Sequence, residues 1–277
     1  MLALKNLLKS NKFIYLFISL IRKFQYFVFP LMHFNLKKFL RVHRFYKNDS
    51  YEKLKKLKNK HIGERCFIVA TGPSLTILDL EKLKNEITFS MNSILLAFDE
   101  TDWRPTYYGI QDENVYRCLK KEIEQLNVEC KFISDTILKK LDIQLSTNDY
   151  SFPLNMLNHT IPHKKYHTKF SNDIFSVVYD GYTITYALLQ IAVYMGFREI
   201  YLLGTDCHYS SNMKHHFKDY GHVDPTFASA GEMMISAYQE AKRYADNNKV
   251  KIFNATRGGE LEVFDRIDLD VALATNN

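Results

Sequence analysis

The chain has 277 residues, of which 46% are hydrophobic and 25% charged. These ordinary globular values exclude a long disordered chain and a fibrous repeat, and the length suits one domain with an additional segment. The net charge of +6 is unevenly distributed, because residues 1–60 hold 15 Lys or Arg and two acids. The other 217 residues hold the remaining 22 of 37 basic residues and 29 of 31 acidic residues. The basic character therefore reports on what the N-terminal segment contacts.

That N-terminal segment alternates apolar, aromatic stretches with basic ones. Phe13–Ile21 ends at an Arg-Lys pair, and Phe24–Leu36 ends at further lysines. Neither uncharged stretch reaches the roughly 20 residues that span a bilayer, so a membrane-spanning helix is not expected. No small-residue cleavage site follows the apolar stretches, so a secretory signal is not expected either. The pattern predicts that residues 1–50 bind an anionic membrane surface as an interfacial anchor. The alternative is a helical hairpin, bent at Pro30, that packs on the domain or on another subunit of a homo-oligomer.

Lys53–Lys60 is predicted to be a charged, helix-compatible linker. A domain boundary is therefore predicted near residue 60, with a Rossmann-like catalytic domain over 61–277. From there short apolar runs alternate with longer helical ones, which is typical of a mainly parallel α/β sheet with helices on both faces. The predicted strands are Cys66–Ala70, Ile87–Met91, Thr106–Ile110, Cys130–Ser134, Glu199–Leu203 and Lys251–Phe253. The predicted helices are Leu78–Leu83, Asn114–Leu126, Thr183–Met195 and Met233–Asp246. Residues 143–180 lack a clear period and are predicted to form a long loop or lid over the site.

The turn after the first predicted strand is a candidate phosphate site. Thr71-Gly72-Pro73-Ser74 stands between a strand and a helix, where backbone N–H groups and a helix N-terminus face an anion. Gly72 allows close approach, and Pro73 and Ser74 suit a helix start that the Ser oxygen caps. The pattern is neither GxGxxG nor a P-loop, so by itself it fits a turn without a ligand equally well.

Other polar residues also follow predicted strands. Asn92 and Ser93 follow the second strand, Asp112 the third, and Gly204-Thr205-Asp206 the fifth. Ligands collect at the carboxyl ends of parallel strands, so Asn92 and Asp112 are candidates to read a base or ribose. Asp206 is a candidate for a ribose hydroxyl. The alternative is ordinary turn chemistry, in which Asn and Asp are common.

Histidines cluster after the fifth strand. They are His208, His215, His216 and His222. Their spacing lacks an HExxH or CxxC pattern, so no metal site is expected, and a single general base that deprotonates an acceptor hydroxyl is favoured. Tyr209 and Tyr220 are candidates to hydrogen-bond a leaving phosphate, with packing as the alternative. The four cysteines have no metal-type spacing, which indicates reduced thiols of a cytoplasmic protein.

Four pieces of the chain resemble one superfamily. It comprises the bacterial sialyltransferases of glycosyltransferase family 42, the 6-hydroxymethylpterin diphosphokinase-like proteins and the flagellin-modifying glycosyltransferases. The pieces are Ala-Thr-Gly-Pro-Ser-Leu at 70–75, Met-Asn-Ser at 91–93, the run from Thr183 to Gly204-Thr205-Asp206, and Asp-Tyr-Gly-His at 219–222. The resemblance covers most of residues 64–256 and leaves out residues 1–60.

The resemblance implies roles for individual residues. The nucleotide is expected to contact Gly72, Ser74, Asn92 and Asp206, and tyrosines assist the departing phosphate. Two histidines match the general base of the family. His222 matches through Tyr-Gly-His, and His216 matches through the histidine-aromatic pair of the pterin-kinase-like relatives. Thr183-Ile184-Thr185 stands where the sialyltransferases have Thr-Ser-Gly, and its threonines are expected in the donor site.

The sequence as a whole predicts an inverting, sialyltransferase-like glycosyltransferase. It would transfer a nonulosonic or related acid from a CMP-type donor to a glycan or lipid-linked acceptor at the inner membrane face, in polysaccharide biosynthesis. We expect no cofactor, no metal and no nucleic-acid partner. One alternative is ATP-dependent pyrophosphoryl transfer to a hydroxymethylpterin, with Mg²⁺ held by Asp112 and Asp206. Another is a non-catalytic nucleotide-binding component of a polysaccharide assembly complex.

Overall fold

The computed structural model describes residues 12–47, 49–156, 168–208, 216–218, 221 and 227–275. In this part of the chain the strands are β1 Arg65–Val69, β2 Thr88–Met91, β3 Tyr107–Ile110, β4 Cys130–Ser134, β5 Asp149–Phe152, β6 Leu154–Asn155, β7 Val178–Tyr179, β8 Glu199–Leu203, β9 Lys251–Asn254 and β10 Asp265–Arg266. Eight of them form one sheet in the order β10-β9-β8-β1-β2-β3-β4-β5, and every neighbouring pair is parallel. The other two, β6 and β7, pair in parallel as a separate ribbon.

Ten helices are described, and those that follow the first two lie around the domain. They are α1 Lys12–Lys23, α2 Phe29–Val42, α3 Asp49–Glu52, α4 Ile77–Lys82, α5 Glu113–Cys118, α6 Lys120–Gln125, α7 Asp135–Lys140, α8 Ile184–Met195, α9 Phe227–Asn248 and α10 Leu269–Ala274. Two 3-10 turns cover Lys53–Leu57 and Asn92–Ala97. All twelve residues of α8 are buried, which identifies it as the central helix on one face.

Both faces of the sheet are covered. Along β1, Cys66 and Ile68 belong to the core that includes α8, whereas Phe67 and Val69 belong to the core on the opposite face. A strand buried on both sides is mostly apolar, which is why β1 and β8 are near-continuous apolar runs after their first residue. The predicted α/β class, a Rossmann-like parallel sheet between two helical layers, is confirmed.

The order of the strands reverses beside β1. The chain proceeds outward from β1 to β5, and then returns to the other side of β1 with β8. Connections on the two sides of this junction run on opposite faces, so a crevice opens at the carboxyl ends of β1 and β8. This crevice is the place where open α/β sheets bind ligands.

Two predicted segments differ from the structure. The predicted helix Asn114–Leu126 breaks at Leu119 into α5 and α6. The predicted loop 143–180 is wrong for residues 149–152, because they form β5 at the sheet edge, where buried Asp149 pairs with buried Lys131 at 3.2 Å. A strand with a buried ion pair has no apolar period to reveal it. The predicted loop is also wrong for Leu154–Asn155 and Val178–Tyr179, which pair as β6 and β7. Residues 157–167 of that segment lie outside the described part.

The N-terminal helix is continuous. A π-helical turn, Phe24–Val28, joins α1 and α2, so one helix runs from Lys12 to Val42. The alternative of a helical hairpin bent at Pro30 is wrong, because Pro30 lies in the first turn of α2, directly after the π-helical turn. There its missing N–H and its ring are accommodated without ending the helix. We call Lys12–Val42 the arm helix.

The segment after the arm helix packs on the domain. Residues 53–60, predicted to be a charged linker, include the 3-10 turn, whose Leu54 and Leu57 are fully buried with Tyr51 in the core around α8. The chain is therefore attached to the sheet before β1 begins. The exposed part of the N-terminal segment ends with the arm helix and the few residues that follow it.

Gln190 on α8 fixes the loop that leads into this helix. Its Oε1 accepts the backbone N–H groups of Ser171 and Tyr179, both at 3.0 Å, and its Nε2 donates to the Tyr179 carbonyl at 2.8 Å. The side chain has no exposed surface, so these bonds replace water for a buried loop. The residues between this loop and α8, Tyr182 and Thr183, are thereby positioned at the crevice.

Candidate functional site

A cleft lies at the carboxyl ends of β1, β2, β3 and β8, and the first turn of α8 also lines it. Ten of the residues predicted for the site line it: Thr71, Gly72, Pro73, Asn92, Asp112, Thr183, Thr185, Gly204, Asp206 and His216. Ser74 and Ser93 stand directly behind this lining, next to Pro73 and Asn92 in the chain. Tyr209, Tyr220 and His222 lie outside the described residues, so their roles stay predictions.

Close contact between the turns after β1 and β8 forms the floor of the cleft. The Gly72 N–H donates to the Gly204 carbonyl at 2.9 Å. A Cβ on Gly72 would lie 2.4 Å from that carbonyl oxygen and 2.0 Å from Oδ2 of Asp206. Gly204 has φ +67°, and a Cβ there would meet the Ala70 carbonyl at 2.6 Å. Both positions therefore require glycine.

The prediction that Ser74 caps the helix after β1 is wrong. The helix begins at Ile77, and Thr76 caps it through a reciprocal capping box with Asp79. Ser74 instead donates from Oγ to Asp206 at 2.9 Å, and its N–H points to the same carboxylate at 3.4 Å. The N–H groups of Gly72 and Ser74 are thus occupied within the protein. The turn serves to hold Asp206 at the cleft.

Arg257, which sequence reasoning did not select, supports the turn from outside. Its guanidinium donates to both carboxylate oxygens of Asp79, at 2.7 and 2.6 Å, and to the Ser74 carbonyl at 2.9 Å. Burial by itself raises the pKa of Asp79, but the hydrogen bonds from Arg257 and Thr76 outweigh it and lower that pKa. The β1 turn is therefore held by an ion pair between Asp79 and Arg257, which are 178 residues apart in sequence.

Asp206 is held in a partly buried position. Burial raises its pKa, and the hydrogen bonds from Ser74 and the nearby His208 oppose the rise. The turn around Gly259 closes over its backbone, since a Cβ on Gly259 would lie 2.6 Å from the Asp206 carbonyl oxygen. The Glu260 N–H donates to the same oxygen at 2.7 Å. Three turns thus converge on Asp206.

Four buried polar atoms around the cleft have no hydrogen-bond partner among the described residues. They are Asn92 Oδ1, Ser93 Oγ, Gln111 Oε1 and Thr205 Oγ1. Asn92 has φ +47°, and Gln111 donates from Nε2 to Asp180 at 2.9 Å. That bond fixes which end of the Gln111 amide is oxygen, so its Oε1 offers an acceptor. Buried polar groups are ordinarily paired, so these four atoms call for a water molecule or a ligand group as partner.

Two predicted ligand residues also cap helices. Asp112 accepts the N–H groups of Asn114 and Val115 through Oδ1, at 2.6 and 3.1 Å. Thr183 caps α8 by accepting the Thr185 N–H at 3.3 Å. The turn-chemistry alternative accounts for one carboxylate oxygen of Asp112 and leaves Oδ2 at the cleft, whereas it accounts for the single side-chain oxygen of Thr183. The N-terminus of the twelve-residue α8 carries a partial positive charge that favours an anion.

Two histidines of the predicted cluster, His208 and His216, line the cleft. His216 is next to Phe217, whose N–H donates to the Thr71 carbonyl at 2.8 Å, so the histidine segment is fastened to the β1 turn. His208 Nδ1 is hydrogen-bonded to the Glu260 carboxylate. Glu260 was not foreseen, because it meets His208 only through the fold. A carboxylate on one ring nitrogen orients the imidazole and leaves the other for proton transfer.

The described residues that line the cleft include few formal charges. Among the described lining residues none is Lys or Arg, and the acids are Asp112 and Asp206. Within the described part of the chain, no group of three or more His, Cys, Asp or Glu side chains is arranged to hold a metal ion.

The fold and the site define a Rossmann-like α/β protein with its ligand cleft at the reversal of strand order. Residues 37–212, more than half of the chain, match the 6-hydroxymethylpterin diphosphokinase MptE-like family. The chain belongs to this family.

One solved structure, a Maf glycosyltransferase from Magnetospirillum magneticum AMB-1, is similar to this chain with a TM-score of 0.46 and 16% sequence identity. The similarity covers 80% of this chain and 38% of that protein. No curated protein shows significant similarity to the chain.

Replacing Gly72 by Ala is expected to destabilise the protein by about 3 kcal/mol, because the new Cβ overlaps a backbone carbonyl that cannot rotate away. Gly258→Ala is the matched control. A Cβ there meets nothing within 4 Å, and φ is +64°, so only about 1 kcal/mol of backbone strain is expected. Urea unfolding followed by circular dichroism measures both. Equal losses in the two variants would contradict the close contact of the two turns.

Asp79→Asn is expected to cost about 2 kcal/mol of unfolding free energy at pH 7, because the ionised carboxylate loses its charged hydrogen bonds. The pKa of Asp79 is lowered in the folded state, so the stabilisation is complete above its unfolded value of about 3.9 and is lost as the pH falls through the folded pKa. Unfolding titrations should therefore show the variant and the wild type converging at acid pH.

Asp270→Asn provides the control for this pH series, because Asp270 is 68% exposed and pairs with Lys82 at the surface. Exposed pairs contribute little, so its stability should match the wild type at pH 7. A gap between Asp79→Asn and wild type that stayed constant from neutral to acid pH would show that the carboxylate charge is not what stabilises the turn.

Proposed function

We propose that the chain is a transferase that binds a nucleotide-activated sugar in the strand-end cleft and transfers the sugar to a glycan hydroxyl. The observation that carries this proposal is the set of unpartnered buried polar atoms at the cleft. Nucleosides present the matching groups, namely ribose hydroxyls and base amino groups. Membership of the MptE-like family, named for an enzyme that transfers from a nucleotide, supports a nucleotide substrate.

The two amide oxygens are proposed to read the nucleoside. Register in the sheet places Met91 of β2 opposite Gly109 of β3, so Asn92 and Gln111 are neighbours at the ends of adjacent strands. Each offers an acceptor without a described partner. Acceptors at this edge favour a base with an exocyclic amine, such as cytosine or adenine, over uracil. The resemblance to sialyltransferases favours cytosine, and with it a CMP-linked nonulosonic or related acid.

The phosphate is proposed to lie between the β1 turn and the first turn of α8. The helix terminus at Thr183–Thr185 contributes a partial positive charge, which suits an anion in a cleft without a described Lys or Arg. As the bond between the anomeric carbon and the phosphate oxygen breaks, both electrons leave with the nucleotide. The partial charge of the helix terminus is already in place, so it stabilises that developing negative charge without reorganisation.

A histidine is proposed to accept the proton of the attacking hydroxyl. The candidates at the cleft are His216, beside the β1 turn, and His208, oriented by Glu260. An imidazole titrates near neutral pH, so it can take the proton as the acceptor oxygen attacks the anomeric carbon. His222, Tyr209 and Tyr220 keep the roles that the sequence predicts for them. A lipid-linked glycan is the proposed acceptor, in polysaccharide biosynthesis.

The second candidate function is ATP-dependent pyrophosphoryl transfer to a hydroxymethylpterin, which the family name favours. A divalent cation would be held by Asp112 and Asp206, and would neutralise charge on the phosphates. One oxygen of each is occupied, by the α5 cap and by Ser74 respectively. Each could therefore supply one ligand oxygen, a sparse donor set, and this ranks the reaction second. A third candidate is a nucleotide-binding component without catalysis.

The nucleotide is identified by thermal unfolding with CMP, CDP, UDP, GDP and ATP, each with and without Mg²⁺. We expect CMP and CDP to raise Tm without Mg²⁺. Gln111→Met should reduce that rise, because it removes the cleft acceptor at similar size. Gln125→Met, at an exposed position of α6, should leave it unchanged. Stabilisation by ATP with Mg²⁺ alone would overturn the first candidate in favour of the second.

Catalysis is tested by replacing His216 and His208 separately with Gln and following consumption of the nucleotide sugar that stabilises the protein. Loss of a general base should lower kcat by about 10²- to 10⁴-fold with little change in KM. His33→Gln, on the exposed arm helix, serves as the control. Full turnover in both cleft variants would remove the base assignment from these two histidines. No turnover in the wild type, with nucleotide binding intact, would favour the non-catalytic candidate.

A further inference from the structure

The arm helix carries most of the large apolar side chains that are exposed in the described part of the chain. Of 20 such side chains, 14 lie between Phe13 and Val42. Phe17 is 65% exposed and Met32 60% exposed. A contiguous apolar surface of this kind on a soluble chain marks an interaction site.

The charge on the arm helix indicates what the surface contacts. Between Lys12 and Val42 the basic residues are Lys12, Arg22, Lys23, Lys37, Lys38 and Arg41, and there is neither Asp nor Glu. A protein partner covering this helix would bury cations beside apolar groups at a high desolvation cost. Anionic lipid headgroups accept the cations while the aromatic rings enter the interface, so a membrane surface satisfies both kinds of side chain.

The position of the charges favours a helix that lies on the membrane. With 31 residues it is long and apolar enough to cross a bilayer by length and composition. However, Arg22 and Lys23 fall within the apolar stretch, between Leu20–Ile21 and Phe24. In a spanning helix they would enter the hydrocarbon, whereas in a helix parallel to the surface they remain at headgroup level.

Arg41 fastens the end of the arm helix to the domain. Its Nε donates to the Phe175 carbonyl at 2.8 Å, its guanidinium also donates to the Ser176 carbonyl, and it stacks over Tyr51 with 4.9 Å to the ring centroid. The side chain is 6% exposed. The helix is thus attached to the loop that Gln190 fixes, rather than joined through a free linker.

We propose that the arm helix lies along an anionic membrane surface and that Arg41 holds the domain against it. This inference is independent of what the cleft binds. It is tested by flotation of the full chain with vesicles of phosphatidylcholine alone and with phosphatidylglycerol added. Binding is expected with the anionic vesicles, weakly with the neutral ones, and alkaline carbonate should release the protein.

Charge is tested with Arg22→Gln combined with Lys23→Gln, which should weaken binding to anionic vesicles roughly 30-fold, about five-fold per charge. Lys120→Gln with Lys121→Gln is the matched control, an adjacent basic pair on α6, and should bind as the wild type does. Tighter binding by the Arg22 and Lys23 variant, with resistance to carbonate, would overturn the proposal in favour of a spanning helix.

Two other results would also overturn the proposal. Equal flotation with neutral and anionic vesicles would show that the cations do not select the lipid. Absence of flotation, together with a dimer in solution that dissociates when Phe17 and Met32 are replaced by Ser, would assign the surface to a second copy of the chain. Circular dichroism of every variant establishes that the domain is folded.

Discussion

The contact between the turns after β1 and β8 is the constraint on which the site depends. Because Gly72 and Gly204 carry no side chain, their backbones meet through a 2.9 Å hydrogen bond. That approach brings Asp206 against Ser74, and Arg257 and the Gly259 turn hold the arrangement from outside. The reversal of strand order would open a crevice in any such sheet. The contact between Gly72 and Gly204 determines which side chains line that crevice.

The cleft combines buried acceptors with the N-terminus of α8 and lacks described cationic side chains. Such a site suits a ligand that brings its own hydrogen-bond donors and a modest negative charge, as a nucleoside monophosphate does. A triphosphate concentrates more charge and ordinarily requires a cation or several basic residues. The electrostatics of the cleft therefore agree with nucleotide-sugar transfer more readily than with pyrophosphoryl transfer, although the family name points to the latter.

Much of this architecture could be predicted from local sequence. Parallel strands buried on both faces are apolar runs, so β1, β4 and β8 were found within a residue. Polar residues directly after those strands had to share one edge, and ten of the predicted residues line the cleft. What the sequence could not supply are pairings across the fold. The roles of Arg257 and Glu260 depend on their hydrogen bonds to Asp79 and His208, which are far away in the chain.

Errors arose where local signals competed. Thr76 and Ser74 are both good helix caps, and the choice between them is made by Asp206, which takes the Ser74 hydroxyl. The edge strand β5 carries a buried ion pair and so lacks apolar alternation. In the arm helix, basic residues divide one helix into apolar runs that resemble two. In the first two cases a contact distant in sequence overrides a local preference.

A crystal structure of the chain grown with CMP tests most directly whether the strand-end cleft binds a nucleotide. We expect density for the base beside Asn92 and Gln111, and for the phosphate between the β1 turn and the first turn of α8. Density for CMP at another surface, with the cleft filled only by water, would contradict nucleotide binding in the cleft.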